Sequence, residues 1–286
     1  MHMNFFKKLF GSTKKPEPES TQPARQPVQP TEPEVFDEPI QTEADQTEAD
    51  AANMAARSAS EECLDRHWAS VGIVEKDVIA HIISPSFTGG PYWPSTRQAY
   101  RIVRRGNSII LATEGLSDPF DDPEGMGNGF EMELFLETSD IPEHAYGAPG
   151  DVDPFTRSWV FEVIQTVAAT VANAGGVTHQ LDQYGVLSLE LPGVSLSHHI
   201  GDQVPRHFVT EDDAVGVLLG APEPDFNTRL EDMPLSPVRL VPVVLITASE
   251  LAYVRSGGGG ARLDLVGRLN AAGIGHKSSL NRESVV

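Results

Sequence analysis

Between Asp153 and Gly176 the sequence places Phe155, Trp159, Val160, Val163, Ile164, Val167 and Val171 at helical spacing. A helix this apolar has to bury nearly its whole length, so the rest of the chain must supply a broad surface for it. Its limits are written in the flanks. Asp153 is a capping residue and Pro154 suits a first helical position, where its missing N–H costs nothing. Gly175-Gly176 ends the run. The spacing predicts the longest helix of the chain here, with Phe155 and Trp159 in the core.

Strands before and after this helix offer the surface. Residues 98–104 and 108–113 alternate around Gly106-Asn107, a hairpin signal. The second strand runs straight into the tight turn Gly115-Leu116-Ser117-Asp118, where Asp and Ser bond back to their own backbone. An acidic, glycine-rich loop leads on to a third strand over residues 130–137. Alternation puts Glu131 and Glu133 on one face of it and Met132 and Leu134 on the other. Further strands are expected at residues 184–191, 215–219 and 238–247, the last read as an edge or bulged strand because of Pro242. Ser60 suits an N-cap for a short helix over residues 61–70. A loop rich in Gly and Pro over residues 84–95 carries Tyr92 and Trp93. Residues 249–256 and 261–272 read as two helices joined by the flexible Gly257–Gly260, with Leu263, Leu265, Val266 and Leu269 to be buried. Strands and helices mixed without strict alternation predict an α+β class: a mostly antiparallel sheet with helices packed on it, in a single domain.

The front of the chain is different material. Residues 1–15 hold four lysines beside Phe5, Phe6, Leu9 and Phe10. On a helix the apolar four would share one face, with Lys7 and Lys8 turned away, a pattern that could touch an anionic membrane surface. Residues 16–59 carry seven prolines between Pro16 and Pro39 and repeat Gln-Thr-Glu-Ala-Asp from Gln41 and from Gln46. With so little apolar surface to bury, this segment is expected to be a disordered spacer, its Ala-rich end fraying into helix. The expected organisation is a tip (1–15), a linker (16–59), a folded domain (60–275) and a polar tail (276–286).

Composition narrows the function. A net charge of −20 argues against nucleic acid, whose phosphates need clustered Lys and Arg. The single Cys63 leaves no internal disulfide and suits a reducing compartment, hence a cytoplasmic expectation. The motifs for a nucleophile elbow, a zinc-protease helix and a Walker loop are missing. Gly127-Asn128-Gly129 is no dinucleotide fingerprint, because no strand precedes it and no helix follows. His198-His199, Asp202 and His207 could suggest a metal, but adjacent His side chains point to opposite sides of an extended chain, which favours a polar surface loop. Asp118, Asp121, Asp122 and Glu124 crowd the loop beside Glu131 and Glu133. Such a cluster could serve a hydrolase or hold a hard cation, yet a contact surface for a basic partner fits it better. No cofactor is expected.

The strand ending in Gly115-Leu116-Ser117-Asp118, followed by the Gly-x-Gly-Phe-Glu strand from Gly127, resembles the suppressor-of-fused family. The similarity runs over roughly residues 62–274 and takes in the helix at 155–173. Its late unit is an apolar strand with a Pro, then Thr247-Ala248-Ser249-Glu250-Leu251. The resemblance implies a non-enzymatic protein-binding module. The type it implies is the bacterial single-domain one, whose members are often proposed as immunity proteins neutralising a partner toxin. The animal members carry an extra carboxy-terminal domain, for which the residues after Ala272 leave little room. Gly115, Leu116, Ser117, Asp118, Asp121, Asp122 and Glu131 are then the expected partner-binding residues. A membrane-tethered scaffold held by Phe5–Phe10 is the second expectation.

Overall fold

The computed structural model describes residues 43–120 and 127–286. The basic tip, most of the Pro-rich segment, and Asp121 and Asp122 lie outside the described residues. Strands β1 (Ile73–Val74), β2 (Ile79–Ala80), β3 (Ala99–Arg105), β4 (Ser108–Glu114), β5 (Met132–Thr138), β6 (Leu187–Pro192), β7 (Ala214–Leu219), β8 (Arg229–Leu230) and β9 (Val238–Ile246) form one sheet. Its order is β1-β3-β4-β5-β9-β7-β6, with β2 on β3 and β8 on β9. All pairings are antiparallel except β5 with β9. The fold is therefore the expected mixed α+β class.

The β3–β4 hairpin turns at Gly106-Asn107, pairing Arg105 with Ser108. Gly106 takes φ +60°, the angle a two-residue turn of the II′ kind needs at its first central position. Because strand side chains alternate, the sheet offers two apolar faces. Ile102, Leu111, Leu134 and Val243 face α2 (Trp159–Asn173). Val103, Ile110, Phe135 and Leu240 face α1 (Glu43–Val71), through Cys63, Leu64 and Trp68. Leu218, Val244 and Ile246 pack against α5 (Ala248–Ala271), through Leu251, Leu265 and Leu269. Two short helices, α3 (Thr178–Tyr184) and α4 (Ile200–Gln203), complete the set. Covered on both sides, the central strands are wholly apolar along β4, β7 and β9 except at a few paired polar groups.

Several expectations change. The helix through Trp159 starts later than Asp153-Pro154: residues Asp153–Arg157 form a 3-10 turn, and Ser158 caps α2 by accepting from the Phe161 N–H at 3.2 Å. At 15 residues it is shorter than α1, which has 29. Ser60 is not a cap either. It lies inside α1, donating to the Ala56 carbonyl at 2.9 Å. The Ala, Glu and Gln of residues 43–59 are strong helix formers, and packing of Leu64 and Trp68 gives them a nucleus to propagate from. β9 is not an edge strand. Its first half pairs with β5 and its second half with β7. Pro242 stands at the changeover, where its carbonyl accepts from Gly220 N–H at 3.0 Å and its missing donor falls beyond the last β7 rung. Gly258, at φ +58°, breaks α5 between the two expected helices, and Leu263 is exposed rather than buried.

The residues from His276 onward are not a free tail. Ser278 N–H donates to the Glu137 carbonyl at 2.9 Å, and Leu245 N–H donates to the Ser278 hydroxyl at 3.0 Å. Arg282 grips buried Glu250 with two bonds of 2.6 Å, just behind the Thr247–Glu250 capping box that starts α5. Glu137, fully buried, meets His276 Nε2 at 2.7 Å and Lys277 Nζ at 3.0 Å. Burial pushes the Glu137 carboxyl up, but the His276 ring, the Ser108 hydroxyl and Lys277 outweigh it and bring its pKa to about 2.

Two outcomes follow from this closure. Arg282→Ala leaves Glu250 buried without a counter-charge and should lower stability by about 3–5 kcal/mol in urea unfolding. For Glu137 the native pKa lies below the unfolded one, so its contribution is whole above the unfolded pKa and disappears as pH falls toward about 2. Glu137→Gln should therefore flatten the acid limb of a stability–pH curve between about pH 4.5 and 2, by up to ~3 kcal/mol.

Candidate functional site

The connection from β4 to β5 is organised by buried carboxylates. Glu133, on β5, lies beneath the turn that leaves β4. It accepts from the Gly115 N–H at 3.0 Å, the Ser117 N–H at 2.8 Å, the Ser117 hydroxyl at 2.7 Å and the Thr113 hydroxyl at 2.5 Å. Burial raises the pKa of this carboxyl, against the pull of the Thr113 and Ser117 donors. Asp118 is equally enclosed. Arg97 holds it with two bonds, of 2.7 and 3.0 Å, and the Ser95 hydroxyl donates at 2.8 Å. The same guanidinium reaches Glu114 at 2.7 Å and Glu61 of α1 at 2.8 Å. Arg101 adds Glu114 and Asp65.

Asn128 secures the other end of the loop. Its Nδ2 donates to the Ser60 hydroxyl at 2.7 Å and the Ser117 carbonyl at 3.2 Å. Its Oδ1 accepts from the N–H groups of Leu235 and Ser236 at 2.9 and 3.1 Å. One buried amide thus ties the turn to α1 and to the approach to β9. The glycines around it are required by space. At Gly115 (φ +127°) a Cβ would meet the Arg97 carbonyl at 2.3 Å, and at Gly129 (φ +53°) it would meet the carbonyls of Leu116 and Asp118 at 2.5 Å.

The expected contact residues therefore separate. Leu116, Ser117 and Asp118 are fully buried and hold the loop from below. Glu131 is exposed, in a left-handed turn at φ +56°, one residue before β5 begins. It does not share a strand face with Glu133, because the strand starts only at Met132. Beside Glu131 lies a cleft of about 430 Å³, lined by Phe120, Phe130, Gly176, Thr178 and His179. Phe120 stands edge-on to Phe130 at 5.8 Å, and the Thr178 hydroxyl fixes the Phe130 carbonyl at 2.8 Å.

The buried carboxylates Glu114, Asp118, Glu133, Glu137 and Glu250 each meet donors that occupy them. No group of three or more His, Cys, Asp or Glu is placed to hold a metal ion among the described residues. His198 and His199 belong to a loop whose N–H groups donate to the Glu162 carboxylate, while His207 meets the Arg282 carbonyl at 3.1 Å. No single helix among the described residues is long and apolar enough to cross a membrane.

One surface was not expected from the sequence. Val78, Ile82, Ile83, Phe87 and Tyr92 are all exposed, while Trp93 next to them is buried. The signal was there: residues 78–96 contain no Asp, Glu, Lys or Arg in a chain that is 22% charged.

Gly129→Ala should lower stability by several kcal/mol in urea unfolding, because strain and a backbone clash add. Gly150→Ala is also at positive φ but has open space around it, so about 1–2 kcal/mol is expected.

A comparison with curated proteins found no match. The family model described as Suppressor of fused protein (SUFU) matches residues 99–283, from the first residue of β3 into the closing segment, well over half of the chain. That match takes in the Gly115–Asp118 turn, the Gly127–Glu131 entry to β5, α2, and the β9–α5 unit with its capping box. The chain belongs to the suppressor-of-fused family, whose domains are protein-interaction rather than catalytic modules.

Proposed function

We propose that this chain is a protein-binding module that inhibits a basic partner, in the manner of a bacterial immunity protein capturing a toxin in the cytoplasm. Family membership carries the reading, because it makes protein binding the function of the matched domain. The net charge of −20 gives the direction: an acidic surface accelerates and orients capture of a basic protein. The β4–β5 connection suits the contact. Glu133, Asp118 and Asn128 fix both of its ends, so the exposed Glu131 adds little ordering cost on binding.

The test is capture from the native cell lysate by the full chain, with bound proteins identified by mass spectrometry. One stoichiometric basic protein, released by salt, is expected. Asp121→Lys/Asp122→Lys should weaken its binding by roughly ten-fold or more, and Glu131→Lys should add to the loss. Unchanged affinity in all three substitutions would remove this connection from the interface. A clean blank would count against the inhibitor reading itself.

A further inference from the structure

The uncharged segment ahead of β3 has a form that core-making does not require. Among the described residues, five of thirteen exposed large apolar side chains fall between Val78 and Tyr92, and Ile82 is fully exposed. They are held outward by a built loop. Gly90 N–H donates to the Pro85 carbonyl at 2.8 Å, Phe87 N–H to the Ser84 carbonyl at 3.1 Å, and Gln98 Nε2 to the Pro91 carbonyl at 2.9 Å. Gly90 lies so close to Pro85 that a Cβ there would come within 2.6 Å of it. Clustered, fixed apolar groups with charge excluded are what the centre of a protein interface looks like.

A cleft of about 330 Å³ opens between this loop and α2, lined by Pro85, Pro91, Trp93, Tyr100 and Ala169 among others. Trp93 is buried, and its indole N–H has no acceptor among the described residues. A second depression, at the Val78 end of the segment, supplies the sign of charge. Asp77, Asp151 and Asp153 border the depression next to Val78, with Lys76 as the one cation among its lining residues. This surface also adjoins the β4–β5 turn, since Gly115 sits against Trp93 and Gly129 against Pro94.

We infer that residues 78–92 and this cleft form a docking surface for a partner protein segment that inserts large apolar side chains flanked by Lys or Arg. The inference rests on the protein-binding reading above and adds the chemistry of the partner and a second place of contact. Residues 78–92 precede the residues matched by the family model, whereas Tyr100 and Ala169 of the cleft lie within them.

A random dodecapeptide library displayed on phage, selected on the purified full chain at low salt, tests it directly. Enriched peptides should combine aromatic or branched apolar residues with Lys or Arg. As synthetic peptides they should bind the Ile82→Asp/Phe87→Asp variant roughly ten-fold or more weakly than the wild type, with unchanged melting temperature for the protein. Both positions are exposed, so the variant should fold. No enrichment, peptides without basic residues, or equal binding to the two proteins would overturn the inference. So would binding of the wild type to phosphatidylcholine–phosphatidylserine vesicles, or concentration-dependent dimerisation, that the double variant abolishes. A partner captured from lysate that is lost with Asp121→Lys/Asp122→Lys but kept with Ile82→Asp/Phe87→Asp would also sink this surface while leaving the inhibitor reading intact.

Discussion

The pairing of β9 with two different neighbours holds this molecule together. Over Arg239–Pro242 the strand runs parallel to β5, and over Val243–Ile246 it runs antiparallel to β7. A parallel contact cannot be closed by a tight turn, so the chain between β5 and β9 must leave the sheet and return. That excursion builds α2, α3, α4, β6 and β7. α2 then covers the face shared by both halves, while α1 and α5 divide the opposite face between them. Without β9 the β3–β4–β5 and β6–β7 portions would be two small sheets, each with an open edge.

The acidic character of the chain is often taken as a surface property, yet several of its carboxylates are internal fixtures. Glu133, Asp118, Glu137 and Glu250 are fully buried, and each receives several donors. A buried carboxylate is costly unless its oxygens are occupied, and here they are. Each also joins elements far apart in sequence, so the charges act as registration points between strands, turns and the closing segment. This accounts for the chemistry seen at the β4–β5 connection: the conspicuous turn residues hold a loop in place, and Glu131 is left to face outward.

What was legible in the sequence depended on range. The Gly106-Asn107 hairpin, the apolar stripe of α2 and the Gly115–Asp118 turn follow from residues within a few positions of one another. The two helices joined through Gly257–Gly260 are legible for the same reason. The rest depends on distant partners. The start of α1 at Glu43 needs Trp68 packed on Phe135 as its anchor. Pro242 looks like an edge residue until the change of neighbour is known. Glu133 and Glu131 look alike by alternation, and only the position of the Asn128 tie shows that one is buried and the other not. The loop at 84–95 is legible from its Gly and Pro, but the exposure of Ile82, Ile83, Phe87 and Tyr92 depends on which surfaces the distant α2 and sheet leave free.

The placement of Glu137 carries a consequence for how this protein is made. β5 leaves the ribosome early, but His276, which meets its carboxylate, follows 139 residues later. At typical elongation rates that is an interval of roughly 7 to 28 s. Until then the growing chain holds a carboxylate meant for the interior without its full set of counter-charges, beside a β5 edge still waiting for β9. Nascent chains in this interval should be the form of the protein most in need of chaperones.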